Sequence, residues 1–98
     1  MCGIAGYVGC FEPSLLGQMN RAQGHRGPDG SGEWHDAEAG LAHVRLAILD
    51  LSPAGAQPMT DATGRVVLSF NGEIYNYREL RADLERQGVV FRGGSDTE

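Results

Sequence analysis

Between Leu41 and Asp50 apolar residues fall at 42, 44, 46 and 48, the period-two pattern of a strand with one buried face, interrupted only by Leu49. This predicts a mostly buried strand over 41–50 that carries Arg45 on the side opposite Ala42, Val44, Leu46 and Ile48. Ile4, Tyr7 and Val8 lie in a short run bounded by Gly3 and Gly9, which predicts a buried strand starting almost at the first residue, with Cys2 at its head. Pro13 ahead of Leu15, Leu16 and Met19, with Gly24 beyond, is the pattern of a helix over about 13–23 whose apolar stripe packs on that strand. Val66 to Phe70 reads as another strand, paired across the Asp61-Ala62-Thr63-Gly64 turn with Pro58-Met59 as a hairpin. Asn76 followed by Glu79 is a capping-box pattern and opens a helix with Tyr77, Leu80 and Leu84 on one face, ending near Gly88. Val89 to Phe91 would begin a further strand. The segment from His25 to Gly32 is dense in turn-forming residues and is expected to be an ordered loop or a pair of turns, too polar for a strand. Strands and helices joined by mostly short links give an α+β class, with helices covering a sheet face.

Length and composition narrow the possibilities. Ninety-eight residues allow one domain, and fifteen glycines signal many tight turns. There is no repeat, low-complexity block or linker, so residues 1–98 read as one unit. The net charge is −5 and every basic residue is Arg, scattered among acids, which argues against nucleic acid as a partner. No apolar run approaches the length that spans a bilayer, and no basic segment followed by an apolar one suggests a secretory signal. Cys2 and Cys10 lie eight positions apart, without metal-binding spacing, and fit a reducing compartment. A cytoplasmic location with no membrane contact is therefore expected. The final Gly94-Ser95-Asp96-Thr97-Glu98 has no visible terminating structure, and the reading expects a cut there.

Chemistry concentrates at Cys2. Removal of Met1 would leave a thiol and a free α-amine on one residue, so that nucleophile and base are neighbours. An α-amine, whose ordinary pKa lies about half a unit below that of a thiol, is matched to take the thiol proton near neutral pH. An acyl-transfer site also needs donors aimed at the developing oxyanion, and the Asn71 amide with the Gly72 N–H supplies two where a strand ends. Taken singly, each residue has a plainer reading. Cys2 is then a small buried side chain, Asn71-Gly72 a turn, Arg45 a surface arginine, Glu73 a solvated acid and Asp96 a turn residue. His25, His35 and His43 lack zinc-ligand spacing, so no metal is expected. Core packing is the expectation for Cys10.

Five segments change that balance when read in order. Met1-Cys2-Gly3-Ile4-Ala5-Gly6, His25-Arg26-Gly27-Pro28-Asp29-Gly30, His43 to Asp50, Asn71-Gly72-Glu73-Ile74-Tyr75-Asn76 and Gly94 to Glu98 together resemble the class II glutamine amidotransferases, of the asparagine synthetase type. Pro28 and Glu73-Ile74-Tyr75 favour that type over the phosphosugar and purine-pathway amidotransferases that share the leading Cys-Gly-Ile. The resemblance implies an αββα layered sandwich of the N-terminal-nucleophile hydrolase type, of which residues 1–98 would form about the first half, leaving a sheet face exposed and inviting self-association into a homo-oligomer.

What the resemblance implies for the site follows residue by residue. Cys2 would attack the side-chain amide of L-glutamine, releasing ammonia and leaving a γ-glutamyl thioester, while Asn71 and Gly72 would hold the oxyanion. Arg45 would grip the substrate α-carboxylate, the backbone at Ile48 and Leu49 would line the pocket, and Glu73 and Asp96 would face the α-ammonium. Arg26 would help to organise the site around Cys2. A cofactor is not implied for this segment: ATP and magnesium would belong to a C-terminal synthetase domain that amidates aspartate and is absent here. Other readings stay open, namely a related amidotransferase serving a surface-polysaccharide or peptide acceptor, a glutamine-binding remnant without turnover, or a structural domain in which the glycine motifs only shape turns.

Overall fold

A computed structural model describes residues 1–98 as a mixed α/β unit with two antiparallel sheets. The larger sheet has the order β1-β3-β2, formed by β1 (Gly3–Val8), β2 (Gly30–His35) and β3 (Ala39–Arg45). Helix α1 (Ser14–Ala22) connects β1 to the rest and lies on β3 and β1. A short 3-10 turn over Gly24–Arg26 follows it. The strands β4 (Met59–Thr60) and β5 (Val67–Leu68) form a small hairpin, and α2 (Tyr77–Arg86) closes the order. No helix is long and apolar enough to cross a membrane.

The core sits where α1 meets the central strand. Leu16, Ala42 and Val44 are buried there, and removing Leu16 from water contributes about 2 kcal/mol. Asn20, one helical turn on from Leu16, is buried too. Its amide donates to the Gly32 carbonyl at 3.0 Å and accepts from Gln23 Nε2 at 3.2 Å, so α1 is tied to β2 without an orphaned polar group. The pleat puts His43 on the opposite face of β3, toward the segment after the β4–β5 hairpin, where Ser69 Oγ donates to the Ala42 carbonyl at 3.3 Å.

Several expectations are corrected. The central strand ends at Arg45 rather than Asp50, because the N–H groups that would continue its ladder are taken by site side chains. Leu46 N–H goes to Cys2 Sγ at 3.3 Å and Ala47 N–H to Asp29 Oδ2 at 2.8 Å. Strand β1 is present but only half buried, with Ile4 and Val8 exposed at 51% and 86% on the face away from α1. Gly30, Ser31 and Gly32, expected in a loop, begin β2, whose pairing partner in β3 supplies what its local composition lacks. Gly24 is not a left-handed helix stop, since the chain runs directly into the 3-10 turn.

Asn76 makes no side-chain capping bond, and its carbonyl instead receives the Glu79 and Leu80 N–H groups. At the far end the expectation holds: Gly88, at φ 94°, lets its own N–H reach the Glu85 carbonyl and the Val89 N–H reach that of Leu84, a Schellman motif. Val89 to Phe91 finds no strand to pair with. Val90 is exposed, and the Phe91 ring sits under the Arg81 guanidinium at 4.6 Å. Cys10, expected in the core, is exposed in the turn after β1.

Candidate active site

Cys2 sits one residue ahead of β1, beside the point where β3 leaves the sheet. Its thiol lies 3.6 Å from the Leu46 carbonyl and accepts the Leu46 N–H, which fixes the sulfur over the 46–50 loop. The Arg26-Gly27-Pro28-Asp29 segment braces this arrangement from both sides. Arg26 Nε donates to the Cys2 carbonyl at 3.0 Å, while Asp29 donates its N–H to the Arg45 carbonyl at 2.9 Å and takes the Ala47 N–H on its carboxylate. The segment thus holds the Cys2 carbonyl and the backbone at Arg45 and Ala47, on either side of the Leu46 N–H that the sulfur accepts.

Cys2 opens onto a cavity of about 490 Å³, within the range of small-ligand pockets. Asn71 and Gly72 line it with Cys2, as do Arg45, Ile48 and Leu49 from the end of β3 and the loop after it, and Glu73 and Asp96 from further along the chain. Eight of the nine residues expected from the sequence therefore line one cavity, and Arg26 stands outside its lining, bonded to the Cys2 carbonyl. Arg45 donates Nη1 to the Ser52 carbonyl at 3.0 Å and forms no salt bridge, which leaves its charge unneutralised by a carboxylate contact. A side chain at Gly55 would collide with that guanidinium, so the buried glycine makes room for Arg45. Asp96 accepts the Ile74 N–H on Oδ2 at 2.9 Å and keeps Oδ1 for another partner. No group of three or more His, Cys, Asp or Glu side chains comes together in a metal-binding arrangement.

The sequence reading missed Asp50, Gln57, Phe70, Tyr75, Ser95 and Thr97, which also line the cavity, together with Met1 itself. Asp50 has a legible local signal, the Asp-x-Ser spacing of an Asx turn: it accepts the Ser52 N–H at 2.8 Å. Its second oxygen accepts the Gly94 N–H at 2.7 Å, a tie 44 residues long in sequence that joins the 46–55 loop to the Asp96 segment. The carboxyl is pulled down to about 2, by the Ser52 hydroxyl first and then by the Gly94 and Ser52 N–H groups.

Because this pKa is lowered on folding, the tie is at full strength above 3.8 and is lost as pH falls from there through about 2. Any acid weakening of substrate binding between pH 7 and 5 must then come from another group. If the cavity binds the substrate that the sequence resemblance implies, Asp50→Asn at pH 7 is expected to raise its KM by about threefold to tenfold with little change in kcat, through loss of one charge-assisted bond. Steady-state kinetics on the variant check this, and an unaltered KM would show that the tie does not shape the pocket.

The family model of the glutamine amidotransferase domain matches residues 1–98. The chain belongs to this glutamine amidotransferase family. Its relatives include asparagine synthetase [glutamine-hydrolyzing] 1 of Bacillus subtilis (strain 168), 41% identical over 97% of this chain, and asparagine synthetase [glutamine-hydrolyzing] of Sandersonia aurantiaca, 43% identical over the whole chain. Amidase chry2 of Gibberella zeae is 46% identical, again over the whole chain. The amidotransferase chain spans 16%, 19% and 17% of the lengths of these three relatives.

Proposed function

We propose that this chain carries the glutamine-hydrolysing site of a glutamine-dependent asparagine synthetase, with L-glutamine as substrate and Cys2 as nucleophile. The observation that carries the reading is the convergence of Cys2, the Asn71-Gly72 donors, one arginine and two acids on a single cavity. A zwitterionic amino acid with a neutral amide side chain complements that set. Arg45 takes the α-carboxylate, Glu73 and Asp96 take the α-ammonium, and the amide reaches Cys2.

In this mechanism Met1 has been removed and the Cys2 amine accepts the thiol proton. The sulfur attacks the side-chain carbonyl carbon, and the C=O electron pair moves onto oxygen, where the Asn71 amide and Gly72 N–H hold it. Collapse of the tetrahedral intermediate breaks the C–N bond. The proton stored on the amine goes to the departing nitrogen, ammonia leaves and a γ-glutamyl thioester remains. Water, deprotonated by the same amine, then releases glutamate and restores the thiol. The mixed α/β unit is read as part of an αββα sandwich, supported by the helix on one sheet face and the nucleophile at the start of β1. Residues 1–98 are assigned to the N-terminal part of the amidotransferase domain and to no cofactor. In this reading the ammonia serves the asparagine-forming part of a longer protein, as the names of the relatives indicate for them.

Met1 lines the cavity and caps the amine with an amide, so the N-terminus is the point of test. Protein trimmed to Cys2, verified by mass, is expected to release glutamate and ammonia in equal amounts from glutamine, and protein retaining Met1 to release neither. Undiminished glutamate release with Met1 in place would contradict the assignment of the amine as base.

A further inference from the structure

Phe70 immediately precedes Asn71, and both of its backbone groups are held by side chains. Its N–H donates to Gln57 Oε1 at 2.6 Å, and its carbonyl lies 3.2 Å from His43 Nε2. His43 is fully buried on β3 and does not line the cavity, and its side-chain hydrogen bond goes to that carbonyl. Its Nδ1 is buried without a partner. A neutral ring with its hydrogen on Nε2 satisfies Phe70 and leaves Nδ1 a bare lone pair, whereas an imidazolium would bury a second N–H with no acceptor. Burial accordingly pushes the pKa of His43 down. Gln57 uses its other end as well: Nε2 donates to Thr97 Oγ1 at 3.1 Å, one residue from Asp96.

We propose that His43 and Gln57 are positioning residues for glutamine hydrolysis, holding the carbonyl and the N–H of Phe70 so that Asn71 and Gly72 stand at a fixed place relative to Cys2. The proposal rests on the reading of Asn71 and Gly72 as the oxyanion donors. An oxyanion hole acts only if its donors are aimed before the reaction, and a displacement of about 1 Å costs on the order of 10²-fold in rate. The dipeptide follows a two-residue strand and is exposed, so its own sheet gives it little support. The two side-chain bonds to Phe70 supply the missing anchorage from the buried strand and from the hairpin entrance.

Substitutions at His43 separate this positioning from mere packing. In His43→Gln the amide nitrogen falls where Nε2 stood and keeps a donor for the Phe70 carbonyl, whereas His43→Met fills similar space without one. Gln57→Met likewise removes the acceptor for the Phe70 N–H. The experiment uses the full-length, N-terminally trimmed protein and measures kcat and KM for glutamine. In parallel it follows the rate at which iodoacetamide alkylates Cys2, read by mass on the peptide carrying Cys2 because exposed Cys10 also reacts. Displacement of iodide forms no oxyanion, so alkylation reports the sulfur and the folded fraction but not the donors.

His43→Met is expected to lose about 30- to 100-fold in kcat per alkylatable Cys2, with KM and alkylation rate within about threefold of wild type, and His43→Gln to recover to within about fivefold. Gln57→Met is expected to lose kcat similarly and to raise KM as well, because Thr97 beside Asp96 is freed. Equal kcat per alkylatable Cys2 in the two His43 variants, whether both high or both low, overturns the proposal. Should His43→Met not fold, a wild-type kcat in Gln57→Met overturns it alone. Wild-type protein that alkylates normally but releases no glutamate would sink the glutaminase reading instead, which keeps the two failures apart.

Discussion

Cys2→Ala is expected to lower glutamine turnover by about 10⁶-fold, the scale of loss when an activated nucleophile is removed from a covalent mechanism. Glutamine binding should survive, because the groups assigned to the amino-acid end of the substrate are Arg45, Glu73 and Asp96, none of which the substitution removes. Calorimetry beside a glutamate assay separates the two quantities: binding within about threefold of wild type, since the thiol adds little in the ground state, and no glutamate. Loss of binding together with turnover would mean that the substitution had collapsed the 46–50 loop, whose Leu46 N–H the thiol accepts. Cys2→Ser keeps an acceptor for that N–H and distinguishes collapse from chemistry, since it should restore the loop without restoring the rate.

Asn71→Ala is expected to have the next largest effect, a fall of about 10²- to 10³-fold in kcat with a small change in KM, the cost of removing one oxyanion donor. The KM is insulated because a ground-state amide oxygen needs the donor less than the tetrahedral oxyanion does. Asn71→Asp should be at least as damaging, since it puts a carboxylate where negative charge develops. Steady-state kinetics on both variants provide the check, and an Asn71→Ala enzyme within threefold of wild-type kcat, with about 10² expected, would remove Asn71 from the oxyanion hole.

The site was more legible in the sequence than the secondary structure around it, for a physical reason. Cys2, Arg45 and Asp96 stand in ordered segments whose resemblance to a family is visible without knowing the fold, and all three line one cavity. Strand β2 is constrained only by its partner: Gly-Ser-Gly-Glu-Trp-His has little strand character of its own and becomes a strand because β3 presents an open edge to it. The end of β3 failed from the opposite cause. Its alternation continues through Leu46 and Ile48, but Cys2 and Asp29 capture the next N–H groups, so the apolar residues at 48 and 49 face the cavity region and stay exposed. The capping box at Asn76 and Glu79 shows the same limit, because a local pattern offers a bond that this backbone satisfies by another route. The tie from Asp50 to Gly94 and the bonds from Gln57 and His43 to Phe70 are not legible locally, because each spans at least 13 residues and no spacing rule reaches that far.

The most direct test of the account is the mass of Cys2 during turnover. Trimmed protein mixed with glutamine and quenched in acid within the first turnovers should yield an N-terminal peptide carrying one γ-glutamyl group on Cys2, released by hydroxylamine and absent in Cys2→Ala. Glutamate appearing at full rate with no such adduct at any quench time, or from the Cys2→Ala protein, would contradict it.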